Sequence, residues 1–246
     1  MKKFGFTLAE VMVALMLVGV VTSLTIPTFV ENSRNRSNAA KLAATVASLE
    51  SAFTSMLATE GVQDLTETRF IKEVETGWNN EATSLFSEIY KISGSEASIN
   101  ISYGPNFTGF KEINSNNQLS VDVTVDTEIV YKTKNGAFLM MRYFPQMRPN
   151  GAFEIGEELG VDQSVLHIVV DTNGALKPNI FGRDVFAFIV GANGVLYPAG
   201  SLGYSVFYSV SEDFLYTGNN VFSCVNNARS IGCTARLVEN NYNVDY

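Results

Sequence analysis

One uninterrupted apolar segment constrains this chain more than any other feature of its sequence. Residues 11–30 contain no Asp, Glu, Lys, Arg or His. As an α-helix, this segment would span about 30 Å, the thickness of the hydrocarbon core of a bilayer. Lys2 and Lys3 precede it, so the positive-inside rule predicts a cytoplasmic N-terminus and an exported remainder.

Two simpler explanations of the apolar segment fit less well. A secretory signal peptide would have a shorter apolar core and a small-residue cleavage site after it, and residues 25–28 do not provide such a site. A plain single-pass anchor would explain the length but not Glu10 at the entrance of the segment. A carboxylate costs about 2.5–3.5 kcal/mol at the centre of a membrane helix and less near the interface. Glu10 therefore needs a partner.

Cleavage between Gly5 and Phe6 would create that partner, because it would release the amine of Phe6. In one helix Phe6 and Glu10 lie at positions i and i+4, so neighbouring helices stacked with an axial offset can share the contact. Two opposite charges about 4 Å apart attract by roughly 4 kcal/mol at an effective dielectric of 20. We therefore predict that Glu10 sets the register between assembled protomers.

The segment from Gly5 to Val11, GFTLAEV, resembles the prepilin cleavage and methylation motif of type IV pilins and type II secretion pseudopilins. In that family a membrane-embedded prepilin peptidase cuts after the glycine and methylates the new N-terminal residue. The resemblance implies cleavage after Gly5, methylation of Phe6 and an assembly role for Glu10. The family's helix-perturbing glycine and proline fall on Gly19 and Pro27.

A second helical pattern follows the apolar segment. Apolar residues recur there at spacings of three and four, which is typical of a helix that packs one face: Ala39, Leu42, Ala43, Val46, Leu49, Phe53, Met56 and Leu57. The opposite face is polar: Asn38, Lys41, Thr45, Ser48 and Ser55. Gly61 is the expected end of this helix. We predict one helix from about Phe6 to Glu60, bent or loosened at Pro27.

The remaining sequence predicts a head of mixed composition. A short helix is expected around residues 81–92, a loop over 100–117, and strands over 119–125, 137–144, 165–170, 185–190 and 195–198, separated by Asn-Gly-type turns. The fold class is therefore α+β, with a long N-terminal hydrophobic helix packed on a mainly antiparallel sheet. The predicted divisions are a leader (1–5), a transmembrane and assembly half-helix (6–30), an amphipathic half-helix (31–60) and an exported globular head (61–246).

Few residues of the head suggest chemistry. Cys224 and Cys233 are the only cysteines, and in an exported protein their spacing favours one disulfide over two reduced thiols. The single histidine, His167, lies in an apolar strand pattern with no nucleophile motif beside it. Packing is the expected role of both His167 and Trp78. The sequence also lacks a phosphate-binding loop and a dinucleotide fingerprint.

One head segment leaves two alternatives open. Asp171, Asn173 and Gly174 are similar to the start of a calcium loop, in which alternating oxygen ligands wrap a hard cation. The similarity is incomplete, since the fifth position is not acidic and the twelfth is not glutamate. A turn held by Asx hydrogen bonds would need no metal. The candidate calcium ligands are Asp171, Asn173 and Asp184, and no other cofactor is expected.

This segment also resembles a stretch of larger pilin-like proteins often labelled type II secretion system proteins, in which Asp-x-Asn-Gly, Pro-Asn and Gly-Arg-Asp-Val-Phe follow a strand. The function implied is a structural subunit, of minor type given the size of the head, in a type IV pilus or type II secretion pseudopilus. Its expected partners are prepilin peptidase, other pilin subunits, the inner-membrane assembly platform and the lipid bilayer. A pilin-anchored exported adhesin or enzyme is the alternative.

Charge argues against a role in nucleic-acid binding. The formal net charge is −8, and an acidic surface repels phosphate backbones. We therefore expect no nucleic-acid partner. We also expect no catalysis by the chain itself, because the function implied by the resemblance is structural. The expected location is the bacterial inner membrane, with a single span, the head in the periplasm or outside the cell, and later an assembled filament.

Overall fold

The structure, a computed structural model, describes residues 7–90, 110–111, 118–119, 128–147, 163–174, 176–205, 224 and 231–245. The chain divides into two compact units, residues 1–37 and residues 38–246. Helix α1 (Leu8–Glu60) contributes to both units. All strands belong to the second unit.

Short helices and seven strands follow α1 within the described residues. The helical elements are a 3-10 turn (Leu65–Glu67), α2 (Arg69–Thr76), α3 (Asn80–Tyr90), α4 (Leu202–Ser205) and α5 (Cys233–Glu239). The strands are β1 (Phe110–Lys111), β2 (Gln118–Leu119), β3 (Glu128–Lys132), β4 (Phe138–Met147), β5 (Gln163–Asp171), β6 (Val185–Gly191) and β7 (Leu196–Pro198).

The main sheet has five strands in the order β3-β4-β5-β6-β7, and every neighbouring pair is antiparallel. Strands that are consecutive in the chain are neighbours in the sheet, the commonest arrangement for antiparallel strands. One register row places Met141 opposite Ile168 and Ile168 opposite Phe188. Because side chains alternate along a strand, this row and every second row share one face. A separate two-stranded sheet pairs β1 with β2.

The larger hydrophobic core lies between that face of the sheet and the part of α1 in the second unit. Apolar residues of α1 and of alternate strand positions are fully or almost fully buried there: Leu42, Val46, Leu49, Phe53, Met56, Leu139, Met141, Ile168, Val170, Phe186 and Phe188. A smaller core on the opposite face includes Ile189, Tyr197 and Tyr204. The predicted α+β class, a long apolar N-terminal helix with an antiparallel sheet, is confirmed.

The predicted polar face of α1 is partly wrong. Thr45 was expected on the side away from the sheet, but it is 1% exposed. Its hydroxyl donates to the Lys41 carbonyl at 2.8 Å and accepts from Asn135 Nδ2 at 3.1 Å. These two bonds satisfy the hydroxyl, so its burial is not penalised. The helix therefore uses polar contacts as well as its apolar stripe to hold the turns of the sheet.

The C-terminus of α1 forms as the sequence predicts. The helix ends at Glu60, and Gly61 adopts a φ of 68°. The N–H of Val62 donates to the Leu57 carbonyl at 3.1 Å. This is the long-range bond of a Schellman motif, in which glycine takes the left-handed position without steric cost.

Several elements differ from the sequence prediction. The expected loop over 100–117 contains strand β1, and β3, α2 and α5 were not predicted. The strand predicted from 137 to 144 extends to Met147, and residues 120–125 of the strand predicted over 119–125 lie outside the described residues. Helix α3 covers the short helix expected near residue 81. The missed elements are short, and their hydrophobic periodicity is too brief to separate from noise.

Removal of the Phe53 ring should destabilise the head more than any surface change on the same helix. Phe53 is fully buried, so Phe53→Ala is expected to lower the free energy of unfolding by about 3–5 kcal/mol. Ser55 is exposed, and Ser55→Ala should change it by less than about 0.5 kcal/mol. Denaturant unfolding of the full chain in detergent measures both. Equal effects would contradict the packing of α1 on the sheet.

Candidate assembly site and head loop

The predicted cleavage site lies just before the first described residue. Gly5 and Phe6 fall outside the described residues, which begin at Thr7. Cleavage after Gly5 and methylation of Phe6 therefore stay predictions. The structure does describe the residue that follows them and the glutamate assigned to assembly.

Thr7 and Glu10 form a reciprocal cap at the start of α1. The backbone N–H and the hydroxyl of Thr7 donate to Glu10 Oε2 at 2.8 and 2.7 Å. The backbone N–H of Glu10 is 3.3 Å from the Thr7 hydroxyl oxygen. This is a capping box, which satisfies backbone donors that have no partner within the helix. The role of Thr7 was not predicted from the sequence, although the Thr-x-x-Glu spacing was a sufficient signal.

The cap leaves the Glu10 carboxylate able to bind a second group. Both Thr7 bonds go to Oε2, so a cationic partner can approach Oε1 without displacing Thr7. The carboxylate also lies at the N-terminus of α1, where the helix dipole favours negative charge. Chemically, this arrangement stabilises an anion and presents it to a donor.

The first unit exposes its apolar side chains. Leu8 is 80% exposed, Phe29 is 75% exposed, and even Val30 is 41% exposed. Within α1 an 18-residue window has a mean hydropathy of 2.1 and no buried residue. By length and composition, α1 is the one helix among the described residues that could cross a membrane. Apolar surface of this extent requires lipid or protein to cover it.

Gly19 and Pro27 both lie inside α1. Pro27 has no backbone N–H, so the carbonyl four residues earlier lacks its usual helical donor. Around it, the hydroxyls of Ser23, Thr25 and Thr28 donate to backbone carbonyls one turn earlier, at 2.8 to 3.0 Å. A Cβ added to Gly19 would meet nothing within 4 Å. Since α1 continues through both positions, the predicted bend at Pro27 stays a prediction.

In the second unit, the described residues between β5 and β6, 172–174 and 176–184, belong to a loop closed by Asp184. We call this segment the head loop. Asp184 is fully buried. Its carboxylate accepts hydrogen bonds from the backbone N–H groups of Asn179 and Ile180 and from Asn173 Nδ2. Burial raises the pKa of Asp184 above its ordinary value, although these bonds oppose the rise. One carboxylate therefore fixes both ends of the loop.

The candidate calcium ligands lie together in this loop, but hydrogen bonds join them. Asn173 directs its Nδ2 to Asp184 Oδ2 at 2.8 Å, and its backbone N–H donates to Asp171 Oδ1 at 3.1 Å. That geometry is the Asx turn of the metal-free alternative. The Oδ1 atoms of Asn173 and Asn179 are buried without a hydrogen-bond partner among the described residues. In the part of the chain that the structure describes, no group of three His, Cys, Asp or Glu side chains is placed to hold a metal.

The head loop also binds α1. Lys41 Nζ donates to the Thr172 carbonyl at 3.3 Å, and Asn38 Nδ2 donates to the Arg183 carbonyl at 3.2 Å. Gly174 adopts a φ of 66°, and a Cβ there would lie 3.1 Å from the Gly136 carbonyl oxygen in the β3–β4 turn. The loop is therefore held by the helix, by the neighbouring turn and by Asp184.

His167 and Trp78 pack as aromatic rings, as expected. The His167 ring lies 4.5 Å from the Phe144 ring and 6.4 Å from the Tyr204 ring. Burial, together with the positive charge of Arg142, lowers the pKa of His167 to about 4. The imidazole is therefore neutral at pH 7. Trp78 packs on Phe70 with a ring separation of 6.0 Å.

Cys224 and Cys233 form a disulfide, and Cys233 begins α5. The next residues attach α5 to the sheet. The Thr234 hydroxyl accepts from the Ala187 N–H at 3.1 Å, and the Ala235 N–H donates to the Ala199 carbonyl at 3.0 Å. These two hydrogen bonds attach α5 to β6 and to the residue that follows β7.

Replacement of Asp184 should loosen the head loop. The Asp184 carboxylate now accepts hydrogen bonds from the backbone N–H groups of Asn179 and Ile180. Asp184→Asn would replace one of its accepting oxygens with an NH₂ group, which can only donate. We expect a loss of about 1–3 kcal/mol in the free energy of unfolding at pH 7, the cost of unsatisfied buried donors. Glu88→Gln, at an exposed position, is the matched control and should be neutral.

The pH dependence of unfolding provides a separate test of Asp184. Its pKa is raised in the folded chain, so the folded state holds this proton more tightly than the unfolded state. The contribution of Asp184 to stability is therefore largest below the unfolded pKa of about 3.9 and declines as pH rises through the folded pKa. The difference between unfolding curves of the native chain and Asp184→Asn, measured across pH, should show this slope. A difference that does not vary with pH would contradict it.

Comparison with known families agrees with the N-terminal geometry. The family described as "prokaryotic N-terminal methylation motif" matches residues 1–26. Neither the curated proteins nor the solved structures compared with the chain include a match. The family match covers the capped Glu10 and most of the exposed apolar segment, and it does not reach the head. The chain thus carries the N-terminal methylation motif that is the signature of type IV pilin-like and pseudopilin-like proteins.

Proposed function

We propose that this chain is a minor structural subunit of a type IV pilus or a type II secretion pseudopilus. Prepilin peptidase removes residues 1–5 and methylates Phe6. The helix then anchors the chain in the inner membrane, with its head exported, until the assembly platform adds it to a filament. The observation that carries the proposal is an exposed apolar helix whose first turn presents the capped Glu10.

The exposed helix suits two environments in succession. In the membrane, lipid tails cover its apolar side chains, and in a filament the helices of neighbouring subunits would cover them. Exchange of one apolar cover for the other has little hydrophobic cost, because lipid tails are as apolar as leucine side chains. Specific contacts must then decide when and in what register the helix leaves the bilayer. No catalytic step by this chain is required.

Glu10 can provide such a contact because both Thr7 bonds go to Oε2 and the other carboxylate oxygen, Oε1, is not used by the cap. Each hydrogen bond from Thr7 contributes about 0.5–1.5 kcal/mol net. A neighbouring Phe6 amine about 4 Å away would add roughly 4 kcal/mol at an effective dielectric of 20. The cap therefore stabilises the carboxylate before assembly without competing with the amine of the neighbour.

The size of the head favours a minor over a major subunit. Many pilins are smaller than this chain of 246 residues. The packing of His167 between aromatic rings suits a structural head better than the alternative of a pilin-anchored enzyme.

Processing can be measured directly. Co-expression with prepilin peptidase should shorten the chain by Met1–Gly5, with or without the mass of one methyl group on Phe6, as read by mass spectrometry. Gly5→Leu is the control and should keep the leader. An intact leader on the native chain, with an active peptidase present, would contradict the proposal.

Assembly should depend on the charge of Glu10 more than on its cap. Glu10→Val and Glu10→Gln should both be processed, yet both should be impaired in filament incorporation, because each lacks the negative charge. Thr7→Ala keeps the charge and removes the cap hydroxyl, so its incorporation should fall less. Immunoblotting of sheared filaments against membrane fractions measures this ratio. Normal incorporation of Glu10→Gln would exclude the ion pair.

The two alternatives for the head loop, a calcium site and a metal-free turn, can be tested separately. Both oxygens of Asp184 accept N–H bonds, so we expect millimolar calcium to leave the thermal unfolding midpoint unchanged. A rise in the midpoint that Asp184→Asn abolishes would instead establish the site, and would require the Asn173 amide to turn its oxygen toward Asp184.

A further inference from the structure

Three charged side chains follow the apolar segment on the same uninterrupted helix. Glu31, Arg34 and Arg36 are all exposed, and all three belong to the first unit of the chain. No charged residue lies between Glu10 and Glu31. Apolar side chains exchange lipid for neighbouring helices at little hydrophobic cost, so they specify little about the register of assembled subunits. The charges at the two ends of the apolar segment are therefore the groups that can fix it.

The predicted Glu10 contact sets one offset between neighbouring helices. It joins position 6 of one copy to position 10 of the next, an offset of four residues, or about 6 Å along the helix. Copies related by the symmetry of a filament keep the same offset along their whole length. Position 31 of the first copy is therefore level with position 35 of the second. Helix α1 is continuous from Leu8 to Glu60, so this count runs through Pro27 without a break.

Position 35 lies between the two arginines. Arg34 and Arg36 are each about 1.5 Å from that level along the helix axis, and they point to opposite sides of Asn35, about 100° away from it. Asn35 itself is partly buried, whereas both arginines are exposed. Since each guanidinium carries five N–H donors on a long side chain, both arginines can reach a carboxylate presented at this level.

The faces of the helix match as well as the levels. Glu10 and Asn35 are 25 residues apart, which is within about 20° of seven whole turns. The side of the second copy that presents Glu10 therefore also presents Asn35, with an arginine on each flank. Positions 6 and 31 have the same separation, so the side of the first copy that presents the Phe6 amine also presents Glu31.

Other offsets do not bring these charges together. With no offset, Glu31 is level with Glu31 and each arginine with its own counterpart, which places like charges side by side. With an offset of eight residues, Glu31 is level with Ala39, which is buried and apolar. Offsets of three to five residues bring Glu31 level with positions 34–36, and the offset set by Glu10 is the centre of that range.

We propose that Glu31 of one subunit pairs with Arg34 and Arg36 of a neighbouring copy of this chain. This contact and the Glu10 contact then fix the register at the two ends of the apolar segment. The inference rests on the proposed function, because it requires a filament in which copies of the chain are adjacent. An ionised carboxylate has about four lone-pair sites, so Glu31 can keep a contact in its own chain and still accept from the neighbour.

Complementation between two charge-reversed chains tests the contact. One full chain carries Glu31→Arg, and the other carries both Arg34→Glu and Arg36→Glu. Expressed alone, each chain sets like charges together between copies, so its incorporation into sheared filaments should fall at least about tenfold. Co-expression should restore the incorporation of both. The recovery must come from contacts between chains, because neither reversed chain has both signs of charge at positions 31, 34 and 36.

Two controls separate this contact from general effects of charge. Glu50→Arg makes the same change of charge at another exposed position of α1, and it should be incorporated normally. Loss of residues 1–5 from each reversed chain, read by mass spectrometry, shows that the chain is inserted and processed. Oxidative cross-linking is a second measurement that reverses no charge. Chains with Glu31→Cys and chains with Arg36→Cys should form mixed dimers in filaments, and Glu31→Cys alone should not form dimers.

Three results would overturn the inference. They are normal incorporation of either reversed chain alone, no recovery on co-expression, and mixed cross-links no more frequent than those of Glu31→Cys with itself. In each case the native chain still forms filaments, so the proposed function stands. If the native chain forms no filament, the proposed function and this inference fail together.

Discussion

An apolar helix as long as the first half of α1 cannot remain in water, and a carboxylate at its entrance needs compensation in lipid. These two constraints organise the rest of the chain. The exposed side chains from Leu8 to Val30 require lipid or other helices around them. Thr7 compensates Glu10 in part through two hydrogen bonds to one carboxylate oxygen. The other carboxylate oxygen of Glu10, Oε1, remains available for a cationic group of a partner subunit.

Apolar packing and hydrogen bonds both hold the head on the second half of α1. The α1 stripe centred on Leu49 and Phe53 buries the apolar face of the sheet. At the start of the second unit, polar bonds supplement the apolar packing of Leu42, because Asn38 and Lys41 donate to carbonyls of the head loop. Asp184 holds that loop in the conformation in which its carbonyls accept these bonds. One buried carboxylate therefore supports both the loop and its contacts with the helix.

The sequence predicted those parts of the fold that have long periodic signals. The helix up to Glu60, its stop at Gly61 and the strands around Ile168 and Phe188 follow from spacing alone. Short elements such as α2 and α5 have too few turns to show a period. The burial of Thr45 could not be read from its own type, because its hydroxyl is satisfied by Asn135, ninety residues away.

The candidate sites also include features that the sequence predicts and features that only the three-dimensional structure shows. Glu10 could be identified because a charge in an apolar segment is conspicuous, and Thr7 could have been found by its spacing to Glu10. The head loop was recognised as a turn or a cation site, but only its three-dimensional geometry shows Asn173 donating to Asp184.

The central claim is that the Glu10 carboxylate of one protomer meets the Phe6 amine of its neighbour. Solid-state NMR can measure it in filaments assembled from two chain pools, one labelled with ¹⁵N at Phe6 and the other with ¹³C at Glu10. Dipolar dephasing should report a nitrogen-to-carboxyl-carbon separation of about 4 Å between protomers, the range in which the ion pair is effective. Mixed filaments that show no dephasing would contradict the account.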